Sequence, residues 1–192
     1  MEKYDFMEKK EKILWKPLNA VPLLKTRVFT VFEKKSLSPD GSEKKFISLK
    51  APCWVIVIPY YKTENGEEFF VMVEQWRHGS EDVFIEFPGG VIDEGEEPVQ
   101  AACRELREET GKIPENIKCL GSLSPNPAIM ENQVHIFLAE LSRKEERREL
   151  DDDEYLNVLN IPVKTVIKNM GTPPYTHCIM NAALFLFLKD RI

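Results

Sequence analysis

The feature that most constrains the fold of this chain is a cluster of glutamates inside one short helical pattern. Residues 89–111 read GGVIDEGEEPVQAACRELREETG, and Glu105, Glu108 and Glu109 are spaced i, i+3, i+4. On an α-helix, residues with this spacing lie on one flank within a turn of each other. Like charges this close repel and destabilise the helix unless a cation offsets them. The pattern therefore predicts a helix whose carboxylates surround a cation.

The residues at both ends of the pattern set the limits of this helix. Pro98 suits the first turn, where its missing N–H costs nothing, and Gly111 is a natural stop after the last turn. Arg104 stands i, i+4 from Glu108 and is expected to hold that carboxylate in position. The apolar stripe, with the three glutamates to one side of it, is predicted at i, i+3, i+4 and i+7: Val99, Ala102, Cys103 and Leu106.

An ordinary solvated acidic helix face would also show i, i+4 ion pairs. The glycines before the helix favour a binding site instead, because a solvated face does not require Gly89 and Gly90 there, or Gly95 at the helix entrance. Mg²⁺ and Mn²⁺ prefer hard oxygen ligands, typically one or two carboxylates together with substrate phosphate oxygens. The pattern thus indicates a site for one of these cations.

The same segment resembles the Nudix box, G-x5-E-x7-R-E-U-x-E-E-x-G-U, in which U is a bulky apolar residue. Lys112 departs from this pattern, and Ile113 is expected to pack in its place. The resemblance implies a Nudix α/β/α sandwich with a mixed β-sheet and the hydrolysis of a pyrophosphate bond. The fixed positions of the box are occupied by Gly90, Glu96, Arg104, Glu105, Leu106, Glu108, Glu109 and Gly111.

The resemblance also implies roles for individual residues of the box. Glu105 and Glu109 become direct metal ligands, and the carbonyl of Gly89 completes the inner shell. Glu108, also counted among the catalytic residues, is either a further metal ligand or one that binds the metal through water. Glu96 orients the loop and helix or reaches the metal through water. The implied cofactor is Mg²⁺ or Mn²⁺, which acts as a Lewis acid and generates hydroxide.

Residues before the box narrow the resemblance to the ADP-ribose pyrophosphatase branch. About fifty residues precede Trp54, and they are followed by EQWR and IEFPGG. In that branch an N-terminal β-hairpin region is shared across a homodimer and supplies aromatic residues to the base pocket. The resemblance implies this role for Phe29 and Phe46, for which core packing is the alternative. Pro127 is a second marker of the branch, placed about sixteen residues beyond the box.

Two further groups are implied to act on the substrate. Arg77 matches an arginine of the branch that grips a phosphate oxygen, although a plain surface arginine is the alternative. The general base of the branch comes from an acidic loop after the box, here LDDDE at residues 150–154. Alignment of this loop indicates Asp152 as a base candidate and Glu154 as a base or third metal ligand. A solvated acidic loop is the competing interpretation.

The remaining pattern predicts an α/β chain with a mixed sheet between helices. We expect residues 1–50 to form an N-terminal extension with a β-hairpin, part of the same domain as the Nudix hydrolase domain of residues 51–192. Beyond the box helix, two helices are predicted at 162–170 and 177–191. Strands are predicted at 26–35, 44–50, 54–60, 68–75, 117–123, 133–141 and 156–159.

Composition excludes several classes of protein. The net charge of −6 and the lack of a Lys/Arg run argue against binding to nucleic acid. The four cysteines show no CxxC spacing, which is typical of a reducing compartment, and no apolar run approaches the ~18 residues of a membrane span. We therefore expect a cytoplasmic protein without a membrane contact. His78, His135 and His177 lack ligand-like spacing and are given no catalytic role.

The sequence thus predicts a homodimeric hydrolase of a small nucleotide, most simply one that converts ADP-ribose to AMP and ribose 5-phosphate. Other nucleoside diphosphate sugars, coenzyme A and dinucleoside polyphosphates are alternative substrates. A sensor that binds a nucleotide without cleaving it is a further alternative. Such proteins typically lose the glutamates of the box, and this chain keeps all of them.

Overall fold

The computed structural model describes residues 11–150 and 154–192. Asp152, the base candidate, lies outside the described residues. The chain forms two compact units. The N-terminal unit contains the residues up to Pro52 together with Asn126–Asn132, and the main unit contains Cys53–Pro125 and Gln133–Ile192.

The N-terminal unit is built on a three-stranded antiparallel sheet, β1 (Lys16–Lys25), β2 (Thr30–Leu37) and β3 (Glu43–Lys50), in that order. The hairpin of β2 and β3 matches the predicted extension, whereas β1 was missed. Prolines discourage a strand prediction because they cannot donate to the ladder. Here the register of β1 shifts just after Pro17 and Pro22, which an edge strand tolerates.

The main unit holds one mixed sheet with the strand order β6-β5-β4-β8-β7, and β9 pairs with β5. Strands β4 and β8 are parallel, and the other pairs are antiparallel. The predicted mixed α/β fold is therefore confirmed. Its elements are β4 (Trp54–Lys62), β5 (Glu68–Arg77), β6 (Asp82–Glu86), α1 (Pro98–Thr110), β7 (Lys112–Leu123), β8 (Val134–Glu145), β9 (Leu156–Pro162), α2 (Val163–Asn169) and α3 (Cys178–Lys189).

Helices cover both faces of this sheet because successive residues of β4 point to opposite sides. Val55 and Val57 pack with the apolar residues of α1, while Ile56 and Ile58 join a second cluster that includes residues of α2 and α3. This second cluster is centred on aromatic contacts, such as the edge-to-face pair of Phe70 with Phe187 and with Phe87. The α/β/α arrangement thus follows from alternation along one buried strand.

Most predicted elements of the main unit are present with small changes of length. Strand β6, which has only five residues, was missed. Helix α1 ends as predicted, with Gly111 in the left-handed conformation and its N–H bonded to the carbonyl of Arg107. Within the described residues, no helix is both long enough and apolar enough to cross a membrane.

Candidate active site

The buried face of α1 differs from the predicted apolar stripe. Val99 is 41% exposed, and Cys103 is only half-buried, so the stripe was wrong at these positions. Two of the three glutamates on α1, Glu105 and Glu109, lie on the buried face instead of beside it, because this face meets a loop as well as the sheet. The buried residues of α1 are Ala101, Ala102, Glu105, Leu106, Glu109 and Thr110.

The loop at residues 88–92 brings backbone groups to these buried glutamates. N–H groups of β4 donate to the carbonyls of Pro88 and Gly90 at 2.9 Å, which fixes the loop beside the strand. Gly89, between them, turns the other way and donates its N–H to Oε2 of Glu109 at 3.0 Å. In extended chain the N–H and C=O of one residue face the same side, so the carbonyl of Gly89 also faces α1.

Both glycines of the loop occupy positions where a side chain would collide. A Cβ on Gly89 would lie within 3.0 Å of the backbone carbonyl oxygen of Val55. A Cβ on Gly90 would lie equally close to the carboxylate of Glu105. Glycine therefore permits the close approach of loop, strand and helix that assembles this site.

Arg104 holds the carboxylates on the outer side of the site. Its Nε and Nη2 donate to the two oxygens of Glu96 at 3.0 and 2.9 Å. Its Nη1 donates to Glu105 at 2.8 Å and to Glu108 at 3.1 Å. The predicted contact with Glu108 is present, and the same guanidinium also donates to the carbonyl of Val91 at 2.9 Å. Arg104 thereby ties the loop to the helix.

Burial raises the pKa of both buried glutamates, Glu105 and Glu109, above its ordinary value. It raises the pKa of Glu105 to about 7, although Arg104 opposes the shift. It also raises the pKa of Glu109 to about 8, with the charge of Glu105 adding to the shift and the N–H of Gly89 opposing it. Two buried carboxyl groups that repel each other are stabilised in the charged form by a shared cation.

The donor set of the site fits a hard divalent cation. Two carboxylates and the carbonyl of Gly89 are oxygen ligands of the kind that Mg²⁺ accepts, together with waters or phosphate oxygens. In the described part of the chain no three acidic, histidine or cysteine side chains already stand close enough to hold a metal ion. Glu154 adds negative charge here, since it contributes to raising the pKa of both Glu105 and Glu109.

Arg77 lies beside the site but has a protein partner. Its Nε and Nη2 donate to Oε2 of Glu86 at 2.9 and 2.6 Å. Glu86 is fully buried, and its other oxygen, Oε1, lies 2.7 Å from Nδ1 of His177. The predicted phosphate contact of Arg77 stays a prediction, since two of its nitrogens already bind a carboxylate.

Sequence reasoning missed Glu86 and His177 because they are 91 residues apart. They meet because the segment before α3 bonds to β6, where the N–H of Ile85 donates to the carbonyl of Pro174 at 3.1 Å. The spacing of residues along the chain does not predict this contact between Glu86 and His177. The expectation that His177 has no part in the site rested on sequence spacing alone.

A cavity of about 470 Å³ connects these groups to the loop of the box. Gly89 and Gly90 lie on one side of it, and Arg77, Glu86 and His177 also line it. Its apolar walls include Trp54, Phe84 and Ile179. This volume lies in the range of small-molecule sites, which are mostly apolar with a few placed polar groups.

The remaining predicted substrate contacts lie in the N-terminal unit. Phe46 is 45% exposed and packs edge-to-face on Trp15, with ring centroids 5.1 Å apart. Phe29 is 37% exposed, which does not match the core-packing alternative. Pro127 lies in the exposed part of the loop Asn126–Asn132. Contact of these residues with a nucleotide stays a prediction.

The chain is similar to several known proteins. Residues 55–175 match the family model described as NUDIX domain. The chain is 37% identical to an ADP-ribose pyrophosphatase of Bacillus subtilis (strain 168) over 131 residues, which cover 68% of this chain and 69% of that protein. It is 33% identical to a methanol dehydrogenase activator of Bacillus methanolicus, with the same coverage. A crystal structure of an ADP compounds hydrolase superposes with a TM-score of 0.76 and 25% identity, covering 92% of this chain and 96% of that one.

Proposed function

This chain belongs to the Nudix family and is a hydrolase, and on that premise we propose that it cleaves the pyrophosphate bond of a nucleoside diphosphate sugar. The proposed substrate is ADP-ribose, which would yield AMP and ribose 5-phosphate. The observation that carries the proposal is the pair of buried glutamates, Glu105 and Glu109, the second of which accepts the N–H of Gly89 at 3.0 Å beside a ligand-sized cavity. Support for the substrate comes from the names of the relatives, one an ADP-ribose pyrophosphatase and one an ADP compounds hydrolase.

We assign Mg²⁺ or Mn²⁺ to Glu105, Glu109 and the carbonyl of Gly89, since hydrolases of this family generally depend on a divalent metal. When bound, such a cation neutralises phosphate charge and lowers the pKa of water. Glu108, held by Arg104 and Arg107, serves as an outer ligand. Asp152 or Glu154 accepts the proton of the attacking water in this scheme.

A substrate panel tests the proposal directly. We would assay ADP-ribose, other nucleoside diphosphate sugars, coenzyme A, dinucleoside polyphosphates and nucleoside triphosphates, each with Mg²⁺ and with Mn²⁺. Formation of AMP and ribose 5-phosphate from ADP-ribose is the expected result. Exclusive release of pyrophosphate from a triphosphate, or nucleotide binding without any turnover, would overturn it.

Metal affinity is expected to increase with pH, because a cation must displace the protons of Glu105 and Glu109. Since burial raises the pKa of these groups to about 7 and about 8, both are largely protonated at slightly acidic pH. The dissociation constant for Mn²⁺ should therefore fall by about 10²- to 10³-fold between about pH 6 and pH 8. Titration calorimetry in two buffers measures the affinity and the protons released. A dissociation constant independent of pH would contradict this assignment.

We further propose a homodimer formed through the N-terminal unit. Strand β1 is exposed along its whole length, and its apolar residues Leu18, Val21, Leu23 and Leu24 are each at least 44% exposed. Exposed apolar side chains are candidates for an interface, and a long exposed edge strand pairs readily with another chain. A second copy of this chain is the occupant that the resemblance to the ADP-ribose pyrophosphatase branch implies.

Leu24→Glu is expected to weaken this dimer by about 10²-fold, because it places a charge in the proposed apolar contact. Sedimentation velocity over a range of protein concentrations measures the change. Phe185→Glu is a matched control, since Phe185 on α3 of the main unit is 64% exposed and Leu24 is 58% exposed. A monomeric wild type, or equal weakening by both substitutions, would argue against the N-terminal contact.

A further inference from the structure

The buried carboxylate of Glu86 binds two residues that line the cavity, Arg77 and His177. Glu86 is fully buried, and both of its oxygens are occupied. Oε2 accepts from Arg77 at 2.9 and 2.6 Å and from Nε2 of Gln75 at 3.2 Å. Oε1 lies 2.7 Å from Nδ1 of His177. The histidine ring is therefore held by a rigid partner and not by solvent.

This contact fixes which nitrogen of His177 carries the proton. Burial alone would raise the pKa of Glu86, but the hydrogen bonds from His177 and Arg77 outweigh it and hold the pKa below its ordinary value. An ionised carboxylate only accepts hydrogen bonds, so Nδ1 must donate. In the neutral ring Nε2 is then an acceptor. A neutral His177 therefore has Nε2 as its acceptor, and its side chain, which is 31% exposed, lines the cavity.

The charges around the histidine favour a neutral ligand group. Arg77 and Glu86 form an ion pair with a 2.6 Å contact, so their charges largely cancel at this end of the cavity. The neighbouring walls, from Trp54, Phe84 and Ile179, are apolar. An apolar cavity with one fixed acceptor suits a molecule with apolar C–H faces and hydroxyl donors, which is the chemistry of a sugar.

We propose that His177 is a specificity-determining residue, oriented by Glu86, whose Nε2 accepts a hydrogen bond from a hydroxyl of the substrate's sugar. Gly89 and Gly90 also line the cavity. A sugar bound there would therefore lie next to the loop that contacts Glu105 and Glu109. The inference rests on the proposed function, because it assumes that the substrate carries a sugar on its pyrophosphate. It adds that the non-nucleoside half of the substrate occupies this cavity.

The substitution His177→Asn distinguishes the role of Nδ1 from that of Nε2. The asparagine amide can still donate to Glu86 in place of Nδ1, but nothing replaces Nε2. We expect the dissociation constant for ribose 5-phosphate to rise by about 10-fold, as for the loss of one hydrogen bond, while that for AMP is unchanged. Titration calorimetry with Mg²⁺ present measures both constants on wild type and variant. Kinetically, KM for ADP-ribose should rise by about 10-fold and kcat should fall by less.

His177→Ala serves as the structural comparison, because it leaves the oxygen of Glu86 without its partner. It should lower the melting temperature, whereas His177→Asn should leave it within a few degrees of wild type. Weaker AMP binding in the asparagine variant, unchanged ribose 5-phosphate binding, or a wild type that binds no ribose 5-phosphate would each overturn the inference. A wild type that binds ribose 5-phosphate with the expected dependence on His177 but hydrolyses no diphosphate sugar would contradict the proposed function alone.

Discussion

Replacing Glu109 with glutamine is expected to lower kcat/KM with Mg²⁺ by at least about 10³-fold and, at the same time, to stabilise the metal-free protein at alkaline pH. Glutamine has nearly the same shape and can still accept the N–H of Gly89, but it lacks the negative charge that a cation needs. A bound metal supplies several kcal/mol of transition-state stabilisation, and about 4 kcal/mol corresponds to a factor of about 10³.

The gain in stability follows from the same burial that shapes the site. Burial raises the pKa of Glu109 from 4.5 in the unfolded chain to about 8 in the folded protein. Between these two values the folded state binds more protons than the unfolded state, so the free energy of unfolding falls as pH rises. Glutamine removes this dependence. At about pH 8.5 without metal, we expect the variant to be more stable by about 1–3 kcal/mol.

Urea denaturation with a chelator present, followed at about pH 5 and pH 8.5, measures this effect. Glu115→Gln is the matched control, since Glu115 is an exposed glutamate on β7 and should change neither activity nor the pH dependence of stability. Excess Mg²⁺ should stabilise the wild type and not the Glu109 variant. Retained Mg²⁺-dependent turnover, or a variant that is less stable in alkali, would show that Glu109 is not a buried metal ligand.

The helix of the box could be predicted because the residues that define it lie within the helix and at its two ends. Spacing within one helix decides which side chains share a face, and Pro98 and Gly111 mark its ends. Sequence periodicity did not show which face is buried. Val99 was placed inside and is 41% exposed, while Glu105 and Glu109 are buried. The reason is that α1 packs on a loop of glycines as well as on the sheet, where Glu109 accepts the N–H of Gly89 and Glu105 accepts from Arg104.

Contacts between distant segments account for what the sequence could not predict. Glu86 was part of the quoted IEFPGG pattern, but nothing in that pattern names His177 as its partner. The three-stranded N-terminal sheet was only partly predicted, because Pro17 and Pro22 obscured β1. Resemblance to a family indicates the residues of the box, whereas a contact between distant segments, such as that of His177 with Glu86, becomes visible only in the fold.

The second large effect is expected from Gly89→Ala, which should destabilise the protein by about 3 kcal/mol and lower kcat/KM by about 10²-fold. A Cβ at this position would lie within 3.0 Å of the carbonyl oxygen of Val55, and its next neighbour is the Cα of Ile56. Both are backbone atoms of the buried strand β4, so neither can rotate away. The loop itself must move, and it carries with it the N–H that binds Glu109 and the carbonyl assigned to the metal.

Substitutions at two other glycines, Gly90 in the same loop and Gly79 between β5 and β6, distinguish this mechanism from a general intolerance of glycine replacement. In Gly90→Ala the new Cβ meets the end of the Glu105 side chain, which can shift, so we expect a similar loss of activity with a loss of stability below about 1 kcal/mol. In Gly79→Ala nothing lies within 4 Å of the new Cβ, so stability should be unchanged or slightly raised. Chemical denaturation and steady-state kinetics on the three variants measure both quantities. Equal destabilisation by Gly89→Ala and Gly90→Ala would mean that the backbone clash with β4 does not set the position of the loop, and the geometric basis for assigning the carbonyl of Gly89 to the metal would then be lost.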